Sequence, residues 1–199
     1  MLTILAGLIS VEAQAVQTIA ASCQAILFEI PLGYQESTCA IIGNCIGANN
    51  VKLAHRFFRL TLWTTLATVL TLMFPLLFCR ESIARFYSTE PEMQQLTQHV
   101  LVLVTFIFFF DCMQGFLQGP IRAIGLQGRA SCYTIVLFYL VGLPVACLLG
   151  FKFEMGVMGL QAGVGLALML QFVTYALILR FSNWQEIADQ AQENLRQEA

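Results

Sequence analysis

Charged residues are clumped along the chain, and they leave long hydrophobic stretches that contain no Asp, Glu, Lys or Arg. Four such stretches are 20, 18, 22 and 25 residues long, and they cover Leu60–Cys79, Met93–Phe110, Ala130–Phe151 and Met155–Leu179. A helix needs roughly 20 apolar residues to cross the ~30 Å hydrocarbon core of a bilayer. The pattern therefore predicts an all-α fold, a polytopic bundle of membrane-spanning helices.

The part of the chain before residue 50 is less regular. An uncharged run, Ala13–Phe28, is followed by the polar-spotted segment Glu29–Ser37 and by a second apolar stretch that reaches Gly47. We interpret all of it as one further span. The apolar segment Met1–Ser10 is too short to cross a bilayer as a helix, so we expect it to be a stub, the end of a helix whose first half is missing.

These segments predict five full spans and the division of the chain. The spans cover approximately residues 13–47, 57–79, 93–118, 130–150 and 156–180. We expect residues 1–182 to form the transmembrane bundle and residues 183–199 to form an amphipathic tail.

Composition narrows the class of protein. Of the 199 residues, 58% are hydrophobic and 11% are charged, whereas a soluble domain carries about 25% charged residues. A soluble enzyme, a nucleic-acid-binding protein and a disulfide scaffold are therefore excluded. The seven cysteines lie scattered in apolar segments without the spacing of a metal site. We expect no metal, no cofactor and no enzymatic activity.

Lys and Arg residues predict the orientation, because they are enriched in the cytoplasmic loops of membrane proteins. The turns at 49–59 and 119–130 and the tail lie on one side and contain seven of these residues, whereas the other side contains three. The C-terminus is therefore expected to be cytosolic. The sequence leaves open whether the membrane is the plasma membrane or that of a vacuole or vesicle.

Three acidic residues lie inside predicted spans: Glu29, Glu36 and Asp111. A charge at the bilayer centre costs ~2.5–3.5 kcal/mol on insertion scales, so such residues are candidates for substrate or ion binding. Asp111 lies near the middle of its span. A structural role is the alternative for each, for instance Arg122 neutralising Asp111, although eleven residues of helix separate them by about 16 Å.

Two segments have the pattern of helices at the membrane surface. Lys52, His55, Arg56 and Arg59 fall on one helical face. In the tail, Asn183 and Glu186 resemble a capping box, and an apolar stripe follows. The stripe consists of Trp184, Ile187, Ala191 and Leu195. We expect Trp184 to face lipid.

Five short motifs, in order and at matching spacing, resemble those of the MATE (multidrug and toxic compound extrusion) transporters. The first lies in the first full span and comprises Pro31, Gly33, Gly43, Asn44 and Gly47. The others comprise Arg122, Gly125 and Gln127, then Tyr139, Gly142 and Pro144, then Gly159 and Gly163 with Gln171, and finally Asn183 with Trp184. Departures from the family pattern are Pro120, Ala123 and Gln161.

The resemblance implies half of a twelve-helix fold with two pseudo-symmetric lobes. The chain would be the end of helix seven plus helices eight to twelve, and the N-terminal lobe would be missing. Asp111 matches the position of the acidic helix-ten residue that family members use in the C-lobe cavity. Glu29 and Glu36 match no acid expected from the family.

The implied function is secondary active antiport of organic cations or other xenobiotics against H+ or Na+. The expected partners are the lipid bilayer, a small organic cation, the coupling ion and the missing N-terminal lobe, with no nucleic acid. One alternative is a non-transporting fragment that needs a partner lobe. A flippase for a lipid-linked precursor is a further alternative, but it would require a basic cavity, and the spans contain acids instead.

Overall fold

The structure, a computed structural model, describes residues 2–198, except for the side chains of residues 194–196 and 198. The predicted segments above include Met1, Ala199 and the side chain of Leu195, which lie outside the described part of the chain. All regular secondary structure in the described part of the chain is helical.

The helices follow the predicted spans. In chain order they are α1 (Leu2–Gly7), α2 (Val11–Gly47), α3 (Val51–Phe78), α4 (Arg80–Tyr87), α5 (Pro91–Ala123), α6 (Gln127–Val136), a π-helical segment Leu137–Gly142, α7 (Leu143–Cys147), a π-helical segment Leu148–Lys152, α8 (Gly156–Phe181) and α9 (Trp184–Glu198). Helices α2, α3, α5 and α8 and the segment Gln127–Lys152 are long and apolar enough to cross a membrane. The all-α class with five full spans is therefore confirmed, and the short helix α1 precedes the first of them.

The largest difference from a predicted boundary is at the start of α3. Helix α3 begins at Val51, so the basic residues between 52 and 59 form its first turns and not a separate surface helix. The turn before it depends on two asparagines. Asn49 adopts the left-handed region at φ 54°, which asparagine tolerates better than most residues. The Asn50 Oδ1 atom accepts a hydrogen bond from the Leu53 N–H at 3.2 Å and so caps the helix.

Helix α5 is the centre of the bundle and packs against α2, α3, α4 and α8. A stripe of its side chains at a spacing of four residues has no exposed surface. The stripe consists of Val100, Val104, Phe108, Cys112 and Phe116. Because residues four apart lie on one helical face, this stripe gives α5 an apolar ridge along most of its length. The ridge joins the apolar clusters at the two ends and in the middle of the bundle.

Glycines set how closely the helices approach one another. A Cβ atom on Gly119 of α5 would lie 2.3 Å from the Gln35 carbonyl oxygen of α2. On α8, Gly159 and Gly163 stand four apart and face the backbone of Leu149 and Ala146, respectively. Small residues at this spacing let helix backbones approach within the membrane. Gly159 and Gly163, the two glycines of the fourth family-like motif, are therefore packing positions.

We expect Gly119→Ala to destabilise the bundle by about 1–3 kcal/mol, the usual cost of overpacking, because its Cβ atom would collide with backbone and not with a flexible side chain. The matched control is Gly33→Ala in α2, where an added Cβ atom meets nothing within 4 Å. The midpoint of thermal unfolding in detergent should fall for the first variant and stay or rise for the second. Equal midpoints for the two variants would contradict the close α2–α5 contact.

The expectation that Trp184 faces lipid is wrong. Trp184 is 4% exposed, its indole stacks on the His55 ring with centroids 4.4 Å apart, and its Nε1 atom donates to the Leu179 carbonyl at 3.3 Å. Helix α9 is held against the end of α2, where Gln192 Nε2 donates to the Gly47 carbonyl at 2.5 Å. That carbonyl is one of the last four of α2, which lack partners within their own helix.

Candidate functional site

A cavity of about 630 Å³ opens between α1, α2, α5, α8 and the segment Gln127–Lys152. Its apolar lining includes Ile107, Phe138, Val164 and Leu168. Its polar lining consists of Thr3, Gln17, Gln24, Asp111, Thr134, Tyr139 and Gln161. Asp111 is the one charged side chain among these described lining residues. The cavity therefore combines a largely neutral wall with one carboxylate.

The Asp111 side chain is half-buried, and its hydrogen-bond partner lies on the same helix, α5. Gln114 Nε2 donates to Asp111 Oδ1 at 3.2 Å, and Gln118 Nε2 donates to Gln114 Oε1 at 2.9 Å. The second bond fixes which end of the Gln114 amide points at the carboxylate. Sequence reasoning missed both glutamines, although their spacing of three and seven residues from Asp111 places all three on one face of α5.

Glu36 and Glu29 lie outside the cavity. Glu36 is exposed and forms an ion pair with Arg122, with Oε1 2.5 Å from Arg122 Nη1. Arg122 is therefore the partner of Glu36, and the alternative in which it neutralises Asp111 is wrong. Glu29 is exposed, and no described residue forms a hydrogen bond or ion pair with its side chain. Of the three predicted acids, the structure brings only Asp111 to the cavity.

A buried pair of amides closes one side of the cavity. Gln161 Nε2 of α8 donates to Gln17 Oε1 of α2 at 3.1 Å, and both side chains are almost fully buried. A buried amide without a partner costs free energy, so each stabilises the other. Gln161 is also one of the departures from the family motif. Neither residue was predicted, because neutral amides do not stand out in an apolar sequence as charges do.

A second polar cluster reaches the cavity through Thr134. The Thr134 and Tyr175 hydroxyls lie 2.7 Å apart, and Gln171 Nε2 donates to both, at 2.9 Å and 2.8 Å. The π-helical segment Leu137–Gly142 follows one turn later and contributes Phe138 and Tyr139 to the lining. Such π-helical turns inside α-helices are frequent at functional sites.

The described residues contain no group of three or more His, Cys, Asp or Glu side chains that could hold a metal ion. The cavity instead has the composition of a site for an organic molecule, with apolar and aromatic walls and a few polar groups. A lone carboxylate in a low-dielectric setting attracts a cation strongly or takes up a proton.

Comparison with known proteins decides the family. Residues 1–148 match the family model MatE. The chain belongs to the MatE family. This confirms the resemblance found in the sequence motifs, and the family consists of transporters and not of enzymes.

Relatives across eukaryotes agree with this MatE assignment. The chain is 30% identical over 192 residues to the uncharacterized transporter YDR338C of Saccharomyces cerevisiae, covering 96% of this chain and 28% of the yeast protein. It is 28% identical to multidrug and toxin extrusion protein 1 of Danio rerio, covering 94% of this chain and 32% of that protein. The chain thus spans about a third of the length of these curated relatives.

A solved structure shows the same arrangement of helices. The crystal structure of the eukaryotic MATE transporter AtDTX14 superposes with a TM-score of 0.90 at 26% sequence identity, over 97% of this chain and 44% of AtDTX14. An inward-facing MATE transporter of the MOP superfamily superposes with a TM-score of 0.71 at 14% identity, which shows the fold alone. The chain therefore has the fold of half a MATE transporter.

Proposed function

We propose that this chain is the C-terminal lobe of a MATE antiporter that exchanges an organic cation for H+ or Na+ across a membrane. The observation that carries the proposal is the cavity with Asp111 as its one charged lining residue among those described. Its volume of about 630 Å³ falls within the ~300–1,000 Å³ typical of sites for small organic molecules. The relatives named for multidrug and toxin extrusion support the same class of substrate.

The proposed mechanism uses Asp111 for two occupants in turn. An ionised Asp111 binds the organic cation, with Gln114 holding the carboxylate oxygen at 3.2 Å. A proton or sodium ion at Asp111 removes this counter-charge and releases the cation. Since the two occupants bind the same group, each lowers the affinity for the other. The ion gradient then decides on which side of the membrane the cation leaves.

Glu36 and Glu29 have indirect roles in the proposed mechanism. Glu36 pairs with Arg122 at the end of α5 that lies near α6, so it orders that end of the bundle and contributes to the site indirectly. Glu29 is exposed on α2, two helical turns before Glu36. We assign Glu29 to the face that meets a second lobe, because a charged side chain is costly against lipid.

The charge of the cavity distinguishes the proposal from a lipid-linked precursor flippase. Such a substrate is anionic and requires Lys or Arg in the cavity, and the described lining residues include neither. The proposal also orients the chain. The end that contains α9 and the basic first turns of α3 faces the cytosol, in keeping with the enrichment of Lys and Arg in cytoplasmic segments.

We expect Tyr139→Leu to weaken the apparent affinity for a flat aromatic cation by about 2- to 30-fold, the effect of losing one cation–π contact. The matched control is Tyr133→Leu, which removes a tyrosine from the same spanning segment that does not line the cavity. The measurement is the KM for uptake of a fluorescent organic cation by a two-lobe protein, in which residues 1–199 are joined to the N-terminal lobe of a MATE relative. Equal KM values for the two variants would contradict a cation site beside Tyr139.

A further inference from the structure

The first turns of α3 carry a basic face that does not line the cavity. Lys52, Arg56 and Arg59 fall within about 60° of one another around the helix, at 100° per residue. All three side chains are exposed. His55 lies at the flank of this face and is also exposed, with its ring stacked on the buried Trp184. We call Lys52, Arg56 and Arg59 the basic face.

The basic face is not neutralised within the described part of the chain. The two ion pairs there join Arg85 to Glu81 and Arg122 to Glu36. At the opposite end of the bundle, Arg85 is neutralised by Glu81. The three charges of the basic face are therefore available to an external anion.

Beyond Arg59, the same face of α3 carries aromatic and apolar side chains in place of basic ones. Trp63, one turn beyond Arg59, is 67% exposed, and Leu70 and Phe74 farther along are exposed on the same side. The uncharged run Leu60–Cys79 begins directly after Arg59, and its 20 residues extend over about 30 Å, the thickness of the hydrocarbon core. Arg59 therefore lies at the edge of the hydrocarbon, and Lys52 lies about 10 Å beyond it.

We propose that the basic face and Trp63 form a docking surface for the headgroups of anionic phospholipids in the leaflet at the α9 end of the bundle. Three unneutralised basic side chains at headgroup depth complement the phosphate and any further negative charge of these lipids. Trp63 lies below them at the level where tryptophan side chains anchor helices at membrane interfaces. The proposal is independent of substrate and coupling ion.

The two tryptophans of the chain make this surface measurable, because Trp63 is exposed and Trp184 is buried. The two-lobe protein is reconstituted in equimolar vesicles of phosphatidylglycerol and phosphatidylcholine, with brominated acyl chains on one lipid at a time. Bromine quenches indole fluorescence on contact. The difference between the wild-type protein and a Trp63→Phe variant isolates the signal of Trp63. The ratio of quenching by the two lipids reports which lipid lies beside the basic face.

The expected result is a severalfold preference of Trp63 for phosphatidylglycerol, which decreases in high salt because salt screens exposed charges. The triple variant Lys52→Gln, Arg56→Gln, Arg59→Gln should reduce the ratio to near one. The matched control, Arg80→Gln, Arg85→Gln, Lys152→Gln, removes the same number of basic residues at the other end and should keep the wild-type ratio. A wild-type ratio near one, an unchanged ratio in the first variant, or a loss in the control would each overturn the proposal.

Discussion

Asp111→Asn is expected to abolish ion-coupled cation uptake by the two-lobe protein while leaving its expression and membrane insertion intact. The substitution keeps the size of the side chain and can keep a hydrogen bond to Gln114, which now lies 3.2 Å from Asp111. It removes the negative charge, and losing one partner of a buried charge pair costs about 2–5 kcal/mol. That loss corresponds to a drop of about thirtyfold or more in affinity for the cation.

The measurement is initial uptake of a fluorescent organic cation into proteoliposomes under an imposed proton or sodium gradient. Glu92→Gln is the matched control, because it removes an exposed acid from the first turn of the same helix, far from the cavity. The control should transport at the wild-type rate. Wild-type uptake and an unchanged response to pH in Asp111→Asn would refute the role of Asp111.

Residues 1–199 alone are expected not to transport. Alternating access requires two lobes that rock against each other around a site near the middle of the membrane, and this chain covers 44% of the length of the AtDTX14 structure that it matches. The exposed carboxylate of Glu29 and the half-buried carboxylate of Asp111 should also make the isolated lobe unstable in lipid, because each charge facing hydrocarbon costs several kcal/mol.

The comparison is uptake by residues 1–199 alone against uptake by the two-lobe protein, at equal protein content in the same vesicles. Only the two-lobe protein should show gradient-driven, saturable uptake. Saturable uptake by residues 1–199 alone that is lost in Asp111→Asn would show instead that two copies of the chain form a working transporter.

The spans and the charged residue of the cavity could be predicted from the sequence, because both predictions rest on where charged residues occur along the chain. A stretch without charges such as Leu60–Cys79 is costly to place anywhere but in lipid or a protein interior. An acidic residue within a predicted span, such as Asp111, is therefore easy to recognise in the sequence. Neutral polar residues lack this signal. Gln17, Gln114 and Gln161 therefore entered the site only through the contacts that the fold gives them.

The side of a helix that faces protein could not be predicted from the sequence either. Trp184 lies on an apolar stripe, and such a stripe packs equally well on lipid or on protein. Its burial depends on His55 of α3 and on the docking of α9 against the end of α2. The π-helical segment that presents Tyr139 likewise depends on packing against α8, where Gly142 faces Ala167.

The central claim is that one carboxylate, Asp111, takes up the coupling ion and the cation in turn. Proton release on cation binding tests it most directly. The two-lobe protein is equilibrated in weakly buffered solution at a pH where Asp111 is partly protonated, and the pH is followed after addition of the organic cation. A parallel sample contains sodium and is followed with a sodium-selective electrode. The proposal predicts release of a proton or of a sodium ion by the wild-type protein and of neither by Asp111→Asn. Cation binding to the wild-type protein that releases neither ion, or equal release by both proteins, would contradict it.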